Sequence, residues 1–451
     1  MQKKLQNARL WVIIFTVFVD LLGVGILIPV VPQLLANPRS EYFLLPKNMS
    51  LNQGFILLGF LTAAFPLAQF LATPILGQLS DKFGRKKILA LSLAGTCLSY
   101  VVFALGIYFR NLPLLFVSRA FDGVTGGNIS VAQAAIADVT EPKDRAKNFG
   151  LIGAAFGLGF ILGPYIGGKL SDPAVFSWFN ATTPFWFVAL LSFINVLSVI
   201  FLFPETLEIK KEAMKIDWGK SFMNIFHAYM MEKLRVIFMS NFLFQAGFTF
   251  FTTFFSVFLI NKFNFTQGNI GDFFSYVGLW VAITQAVITR RLAGKVREDE
   301  ILRISIMISA LGIVLYFLPH AWWQLLFITP IFAVANGLTQ ANIAALISKT
   351  AARSIQGEVL GINASVQALA QAIPPMLSGY IAASLSPEAP LIVSAIVIAT
   401  AGFVFSIFYD STSSNRLAVE EAEYTQSVED SKQSEQSIHN EDEIIHGTID
   451  L

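Results

Sequence analysis

Gly77-Gln78-Leu79-Ser80-Asp81-Lys82-Phe83-Gly84-Arg85-Lys86-Lys87 is a charged, glycine-punctuated stretch clamped between two long apolar runs. It is too short to be a domain. It reads as a tight hairpin where two membrane helices meet water, with glycines allowing close backbone approach and cations held on one side of the bilayer. Working outward, near-continuous apolar runs of about 20 residues recur from Leu10 to Tyr409, each long enough to cross a hydrocarbon core roughly 30 Å thick. Membrane strands would instead alternate over about ten residues, a pattern absent here, so the spans are helices. Composition agrees: 55% of residues are hydrophobic, 43 are phenylalanine and only 14% are charged, against about 25% charged in an ordinary soluble protein.

The runs divide into twelve expected spans: 10–36, 54–78, 87–109, 112–139, 147–170, 183–204, 233–261, 268–292, 300–318, 322–348, 357–384 and 389–409. An even number returns both ends to one side. Lys82, Arg85, Lys86 and Lys87 share that side with Lys143, Arg145, Lys147, Lys210, Lys211, Lys215, Lys220, Arg290, Arg291, Lys295, Arg297, Lys349 and Arg353, whereas the opposite loops hold only Arg39, Lys47, Arg110, Lys169 and Lys262. The excess of cations marks the cytoplasmic face, so both termini are expected there. Lys3, Lys4 and Arg9 precede the first apolar run as in a signal peptide, but that run is too long for a signal core, and an uncleaved first helix is expected. The boundaries then read as an N-terminal bundle over 1–204, a cytoplasmic linker over 205–232 that is partly an interfacial helix, a C-terminal bundle over 233–410, and an acidic, Ser- and Gln-rich tail over 411–451 with the composition of a disordered segment.

Several function classes fall away. The net charge of +1 implies no general attraction to nucleic acid. The single cysteine, Cys97, lies within an apolar run and excludes an internal disulfide or a cysteine metal site. His227, His320, His439 and His446 are scattered through linker, loop and tail, with no nucleophile–base or metal-ligand grouping, so neither an enzyme nor a metal or cofactor is expected. An internal repeat is present instead: Gly150 and Pro164 are spaced as Gly361 and Pro375 are, and Gly126 and Gly168 fall on Gly337 and Gly379 at the same offset. Such repetition is the signature of a transporter built from two parallel halves around a central site.

Charges at lipid depth are costly and mark function. Asp20 lies about ten residues into the first span, followed by Gly23, Gly25, Pro29 and Pro32; in the fourth span Arg119 and Asp122 stand three apart on one helix face. Counting depth from opposite ends of antiparallel helices places Asp20 and Arg119 both near mid-membrane, and a carboxylate that alternately meets and leaves a guanidinium can carry a proton. The alternative is a permanent structural ion pair. The face of the fourth span continues through Gly126, Ser130 and Gln133, while Asn241, Gln245, Thr249, Thr252 and Ser256 stripe the seventh span and Thr329, Asn336 and Gln340 the tenth. Polar stripes on apolar helices indicate a ligand cavity or interhelical hydrogen bonds, and the candidate substrate contacts are Gln133, Asn241, Gln245, Thr249, Asn336 and Gln340. In the fifth span, Gly150, Gly159, Gly163-Pro164 and Gly167-Gly168 allow helices to approach backbone to backbone.

With these residues in view, the chain resembles the major facilitator superfamily over about residues 8–410, and within it the proton-driven drug exporters of tetracycline-resistance type. The Gly77–Lys87 hairpin matches the superfamily loop motif, Arg119-x-x-x-Gly123 the fourth-helix motif, Asp20 with Gly23, Gly25, Pro29 and Pro32 the first-helix motif, and the glycine series from Gly150 to Gly168 the exporters' fifth-helix antiporter motif. The resemblance implies an all-α membrane protein, twelve transmembrane helices in two pseudo-symmetric six-helix bundles. It also implies a conformational latch of Gly77, Asp81, Gly84 and Arg85 with Asp138 as the partner of Arg85, favouring the state open to the outside. Two positions depart from the exporters: Ser99 stands where they have an acid in the third span, and Asp122 where relatives are commonly neutral. The expected function is a monomeric bacterial inner-membrane antiporter exchanging protons for an amphiphilic small molecule. Its rivals are a proton-coupled uptake symporter on the same fold and a non-transporting receptor that recruits a partner through its tail.

Overall fold

The structure is a computed structural model that describes residues 2–140, 145–207, 216–351 and 356–410. The described residues are organised as helices α1 (Gln2–Leu35), α2 (Leu51–Phe83), α3 (Arg85–Tyr108), α4 (Leu112–Thr125), α5 (Asn128–Val139), α6 (Arg145–Leu170) and α7 (Thr183–Leu202). After these come α8 (Lys220–Met230), α9 (Glu232–Phe263), α10 (Gln267–Ile283), α11 (Thr289–Leu292), α12 (Glu298–Leu315), α13 (Leu325–Thr350), α14 (Gln356–Ser384) and α15 (Ala389–Phe408). Eight stretches among the described residues are long and apolar enough to cross a membrane. The order of elements follows the twelve expected spans once α4 with α5, and α10 with α11, are each taken as one interrupted rod. The acidic tail lies outside the described residues.

Sequence sets where these helices begin. Ser50 opens α2 with a reciprocal cap, its hydroxyl accepting from the Gln53 backbone N–H while the Gln53 side chain accepts from the Ser50 N–H at 2.8 Å; Thr266 and Asn269 open α10 in the same way. The two capped helices occupy equivalent places in the two halves.

Polarity is inverted relative to a bundle in water. On α7, Leu190, Phe193, Leu197 and Phe201 face outward while Ser192 and Asn195 are fully buried. On α15, Ile392, Ile396 and Phe403 face outward, while the buried Ser394 hydroxyl donates to the Gly247 carbonyl of α9 at 2.6 Å. Hydrocarbon solvates the apolar faces, so buried hydrogen bonds and close packing join the helices instead.

Two spans expected to be continuous are interrupted. The fourth breaks at Gly126-Gly127, between α4 and α5, and the freed Gly126 carbonyl accepts from Gln69 Nε2 of α2 at 2.8 Å. The eighth carries a π turn over Thr284–Ile288. A helical apolar pattern tolerates both, because a backbone group inside the membrane needs only some partner, which α2 supplies in the first case.

The bonds between the two halves gather at the end of the molecule opposite the basic loops. There Gly59 and Gly379 bring α2 and α14 into backbone contact, and the Phe60 and Tyr380 rings pack edge to face with centroids 5.8 Å apart. Gly168 and Gly271 do the same for α6 and α10, beside the Lys169–Asp272 ion pair at 2.9 Å. Ser256 donates to the Ile28 carbonyl at 3.2 Å, Gln33 to the Phe265 carbonyl at 3.3 Å and Arg39 to Asn264 Oδ1 at 2.6 Å. At the basic end, the cross-half hydrogen bonds among the described residues run through the linker segment that contains α8. The linker expected over 205–232 thus contains a helix packed against α2, α9 and α14.

Candidate functional site

Asp20 faces the break in the fourth span. Its Oδ2 is buried and has no hydrogen-bond partner among the described residues, and its carboxyl group lies within electrostatic reach of Asp122 and beside Asn128, the first residue of α5. Both polar atoms of Asn128 are likewise buried and unpartnered among the described residues.

Arg119 does not pair with Asp20, contrary to the expectation from depth counting. Its Nη1 bonds Asp122 Oδ2 at 2.7 Å, one turn along the same helix, and its guanidinium lies 4.5 Å from the centre of the Phe65 ring on α2. Arg119 and Asp122 are only 6% and 2% exposed. Depth fixes height along the membrane normal but not the rotation of a helix about its own axis. The neighbour one turn away, on the same face, captures the guanidinium first. The cluster therefore holds two carboxylates and one guanidinium, with Thr96 of α3 beside Asp122 and 3.3 Å from the Thr125 hydroxyl.

Tyr100 completes the cluster and was not legible as a site residue. It is 3% exposed and lies within electrostatic reach of Asp20, Arg119 and Asp122. A Cβ on Gly23 would fall 1.9 Å from the Tyr100 hydroxyl oxygen, so Gly23 is the notch in α1 that receives the phenol. Gly23 was the available signal, but a missing side chain does not say what fills its space. Ser99, at the acid's place in the exporters, instead locks α3 to α4 by donating to the Ser118 carbonyl at 2.8 Å while Ser118 donates to the Ser99 carbonyl at 2.7 Å.

The fifth-span glycines bear on this cluster through α1. Cβ atoms on Gly159, Gly163 and Gly167 would meet Leu21 Cβ at 2.6 Å, Gly25 Cα at 2.8 Å and Ile26 Cα at 2.8 Å. Spaced four apart, the three form one face of α6 laid on the α1 segment that carries Asp20. Pro164 packs beside Gly25, and its carbonyl meets Gly271; Gly168 turns to the other half, while Gly150 lies on α6 with no described side-chain surroundings.

The polar stripes divide. Asn241 Nδ2 donates to Asn363 Oδ1 of α14 at 2.7 Å, Thr249 to the Gln245 carbonyl at 2.8 Å, and Thr329 to the Leu325 carbonyl at 2.7 Å while accepting from the Tyr316 hydroxyl at 3.1 Å. Interhelical and local bonds account for these groups. Gln340 reaches Asn336 only at 3.5 Å, and Gln245 and the exposed Gln133 have no side-chain bond among the described residues.

At the basic loops, Arg85 bonds Asp81 at 2.6 Å, the Ser80 hydroxyl at 2.5 Å and Asp138 of α5 at 3.1 Å. These partners of Arg85 all belong to one half, and they are joined in a structure whose halves also make contacts at the opposite end. Gly77 stands in open space, but Gly84 has φ +104°, and a Cβ there would lie 2.2 Å from Glu205 Oε2. Glu205, which sequence reading left unassigned in the linker, accepts from the Arg85 N–H at 2.8 Å and places a carboxylate at the N-terminus of α3. Gly84→Ala should cost about 1–3 kcal/mol through backbone strain and this overlap, read as a lower unfolding midpoint in detergent; an unchanged midpoint would contradict the geometry.

The other half carries a counterpart of reversed charge. Lys349 at the end of α13 sits at the repeat offset from Asp138 and pairs with Glu298 at the start of α12, close to Gly294 with φ +75°.

The profile of the Major Facilitator Superfamily matches residues 13–296 and 237–436. The class H tetracycline resistance protein of Pasteurella multocida is 30% identical over 380 residues, which is 83% of this chain and 89% of that one. Multidrug resistance protein 2 of Bacillus subtilis is 27% identical, over 82% and 88% of the two chains. Among solved structures, the human organic anion transporter TETRAN superposes with a TM-score of 0.68 at 22% identity, covering 89% of this chain and 99% of that one. A D-xylose–proton symporter superposes at 0.73 with 14% identity, covering 90% and 99%. Such structural likenesses establish the fold, and the sequence relatives establish the lineage. Two helical halves, their repeat, the loop motif and the profile match lead to one conclusion: the chain is an integral membrane transporter, not an enzyme, and belongs to the major facilitator superfamily.

Proposed function

We propose that this protein is a proton-coupled exporter of an amphiphilic small molecule, alternating access between its two helical halves. One observation carries the reading: Asp20, with an unpartnered buried oxygen, stands beside an Asp122 whose charge is already matched by Arg119. The cluster therefore has one carboxylate in excess of its cation, and a proton is the smallest group that offsets the excess. Protonating Asp20 removes its repulsion from Asp122; releasing the proton restores it. That change acts on α1, against which the glycine face of α6 is packed, and so reaches the packing between helices. Each net charge moved across the membrane is worth about 2.3 kcal/mol per 100 mV. Export rather than uptake is supported by that glycine face and by relatives named for tetracycline and multidrug resistance.

The reading includes a bacterial inner membrane, a monomer, and the basic loops with both termini on the cytoplasmic side. Gln133, Gln245, Asn336 and Gln340 supply the hydrogen-bonding groups for substrate. The rival is uptake by symport. Everted vesicles acidified inside distinguish them. Adding a lipophilic substrate from a drug panel should raise the internal pH as the substrate accumulates, whereas acidification-driven loss of preloaded substrate would establish symport.

A further inference from the structure

Helix α8 is arranged backwards for a helix in water. Its buried positions, spaced three and four apart, are Ser221, Asn224 and Ala228, whereas Phe222, Met223, Phe226, Tyr229 and Met230 are exposed. The small polar face is turned to the protein and bonded to both halves. The Ser221 hydroxyl donates to the Phe70 carbonyl of α2 at 2.7 Å, and Asn224 Nδ2 donates to the Ser365 hydroxyl of α14 at 2.9 Å. Just before the helix, Gln78 accepts from the Asp217 N–H at 2.8 Å and donates to its carbonyl at 3.1 Å.

We infer that α8 is embedded in the leaflet on the basic side as a strap between the halves, its aromatic and methionine face taking phospholipid acyl chains while its polar face holds α2 to α14. Depth is the first argument. With 1.5 Å of rise per residue, Phe70 lies about 20 Å from the basic end of α2, and Ser365 about 14 Å from that of α14. Both contacts are thus well inside the apolar part of helices built to span a bilayer. Continuity is the second: Leu67 and Leu71, at the same level of α2, are also exposed, so the apolar face of α8 extends a band that hydrocarbon already covers. The edges are the third. The Arg235 guanidinium, near the basic end of α9, lies 5.7 Å from the centre of the Tyr229 ring, placing a cation at the rim where phosphate headgroups lie. The chain's own tail, acidic and rich in Ser and Gln, is chemically unsuited to cover five large apolar side chains.

Single nitroxides at positions 222 and 226 test this in the full chain with Cys97→Ser, reconstituted in phosphatidylethanolamine–phosphatidylglycerol vesicles. Position 194 on the lipid-facing side of α7 serves as the apolar reference and position 87, exposed in the first turn of α3 at the basic end, as the aqueous one. Collision with oxygen should exceed collision with a water-soluble nickel chelate several-fold at 222 and 226, as at 194, and the ratio should reverse at 87. Access to nickel at 222 and 226 would place the helix in water. Exclusion of both reagents would mean that a second copy or another protein segment covers it. Either result overturns the inference. The strap is tested separately: Ser221→Ala with Asn224→Ala should sharpen the spectrum at 222 through increased mobility while leaving its oxygen access unchanged, and an unchanged spectrum would show that these bonds hold nothing. The readouts are independent of transport, so failure of the exporter reading leaves them interpretable.

Discussion

In everted vesicles the Asp20→Asn variant should exchange substrate down its own gradient yet show transport driven by an imposed pH gradient no greater than vesicles lacking the protein. Asn keeps the shape of the side chain and removes the ionisation. Because Asp20 Oδ2 has no hydrogen-bond partner among the described residues and an amide preserves the polar contact with the neighbouring Asn128, the unfolding midpoint should change little. Loss of pH-driven flux with counterflow retained separates coupling from folding and from binding. Normal pH-driven flux in the variant would remove Asp20 from the mechanism and return the excess charge to Asp122.

The largest stability effect is expected at Arg119. Arg119→Leu strands the Asp122 carboxylate, 2% exposed, without its partner at 2.7 Å, and breaking a buried pair from one side costs about 3–5 kcal/mol. The contact with Phe65, worth about 2 kcal/mol when desolvated, is lost as well. Adding Asp122→Leu should recover most of the loss, because the uncompensated charge then disappears with its partner. Thermal unfolding of the single and double variants in detergent measures this. Equal midpoints for the two would mean that the pair is solvated and that the cluster is not a low-dielectric site.

Failures of sequence reading cluster where rotation and backbone detail matter. Span boundaries follow from apolar run length, so α3 and α7 begin and end within two residues of expectation, whereas α2 runs five residues further, through the charged end of the loop motif. The break at Gly126-Gly127 left no trace in hydropathy, because a kinked apolar segment and a straight one have the same composition. Asn241 and Thr329 stood on polar stripes as candidate cavity groups, yet their bonds run to α14 and within the C-terminal half, since a stripe records polarity and not which neighbour meets it. Glu205 falls at the first position of the expected linker, two residues beyond the Phe203 that caps the end of α7. Only the folded chain brings it to the start of α3.

By itself, then, the chain dictated a membrane-spanning helical fold, its internal repeat and the inventory of charges at lipid depth, because the cost of polar groups in hydrocarbon is paid residue by residue and leaves its mark in linear order. Tertiary structure alone decided that Arg119 takes Asp122 and leaves Asp20 free, that Gly23 is the notch for Tyr100, and that α8 presents its apolar face outward. Those outcomes depend on how each helix is turned about its axis against its neighbours, and that angle is set by close packing between residues far apart in the chain.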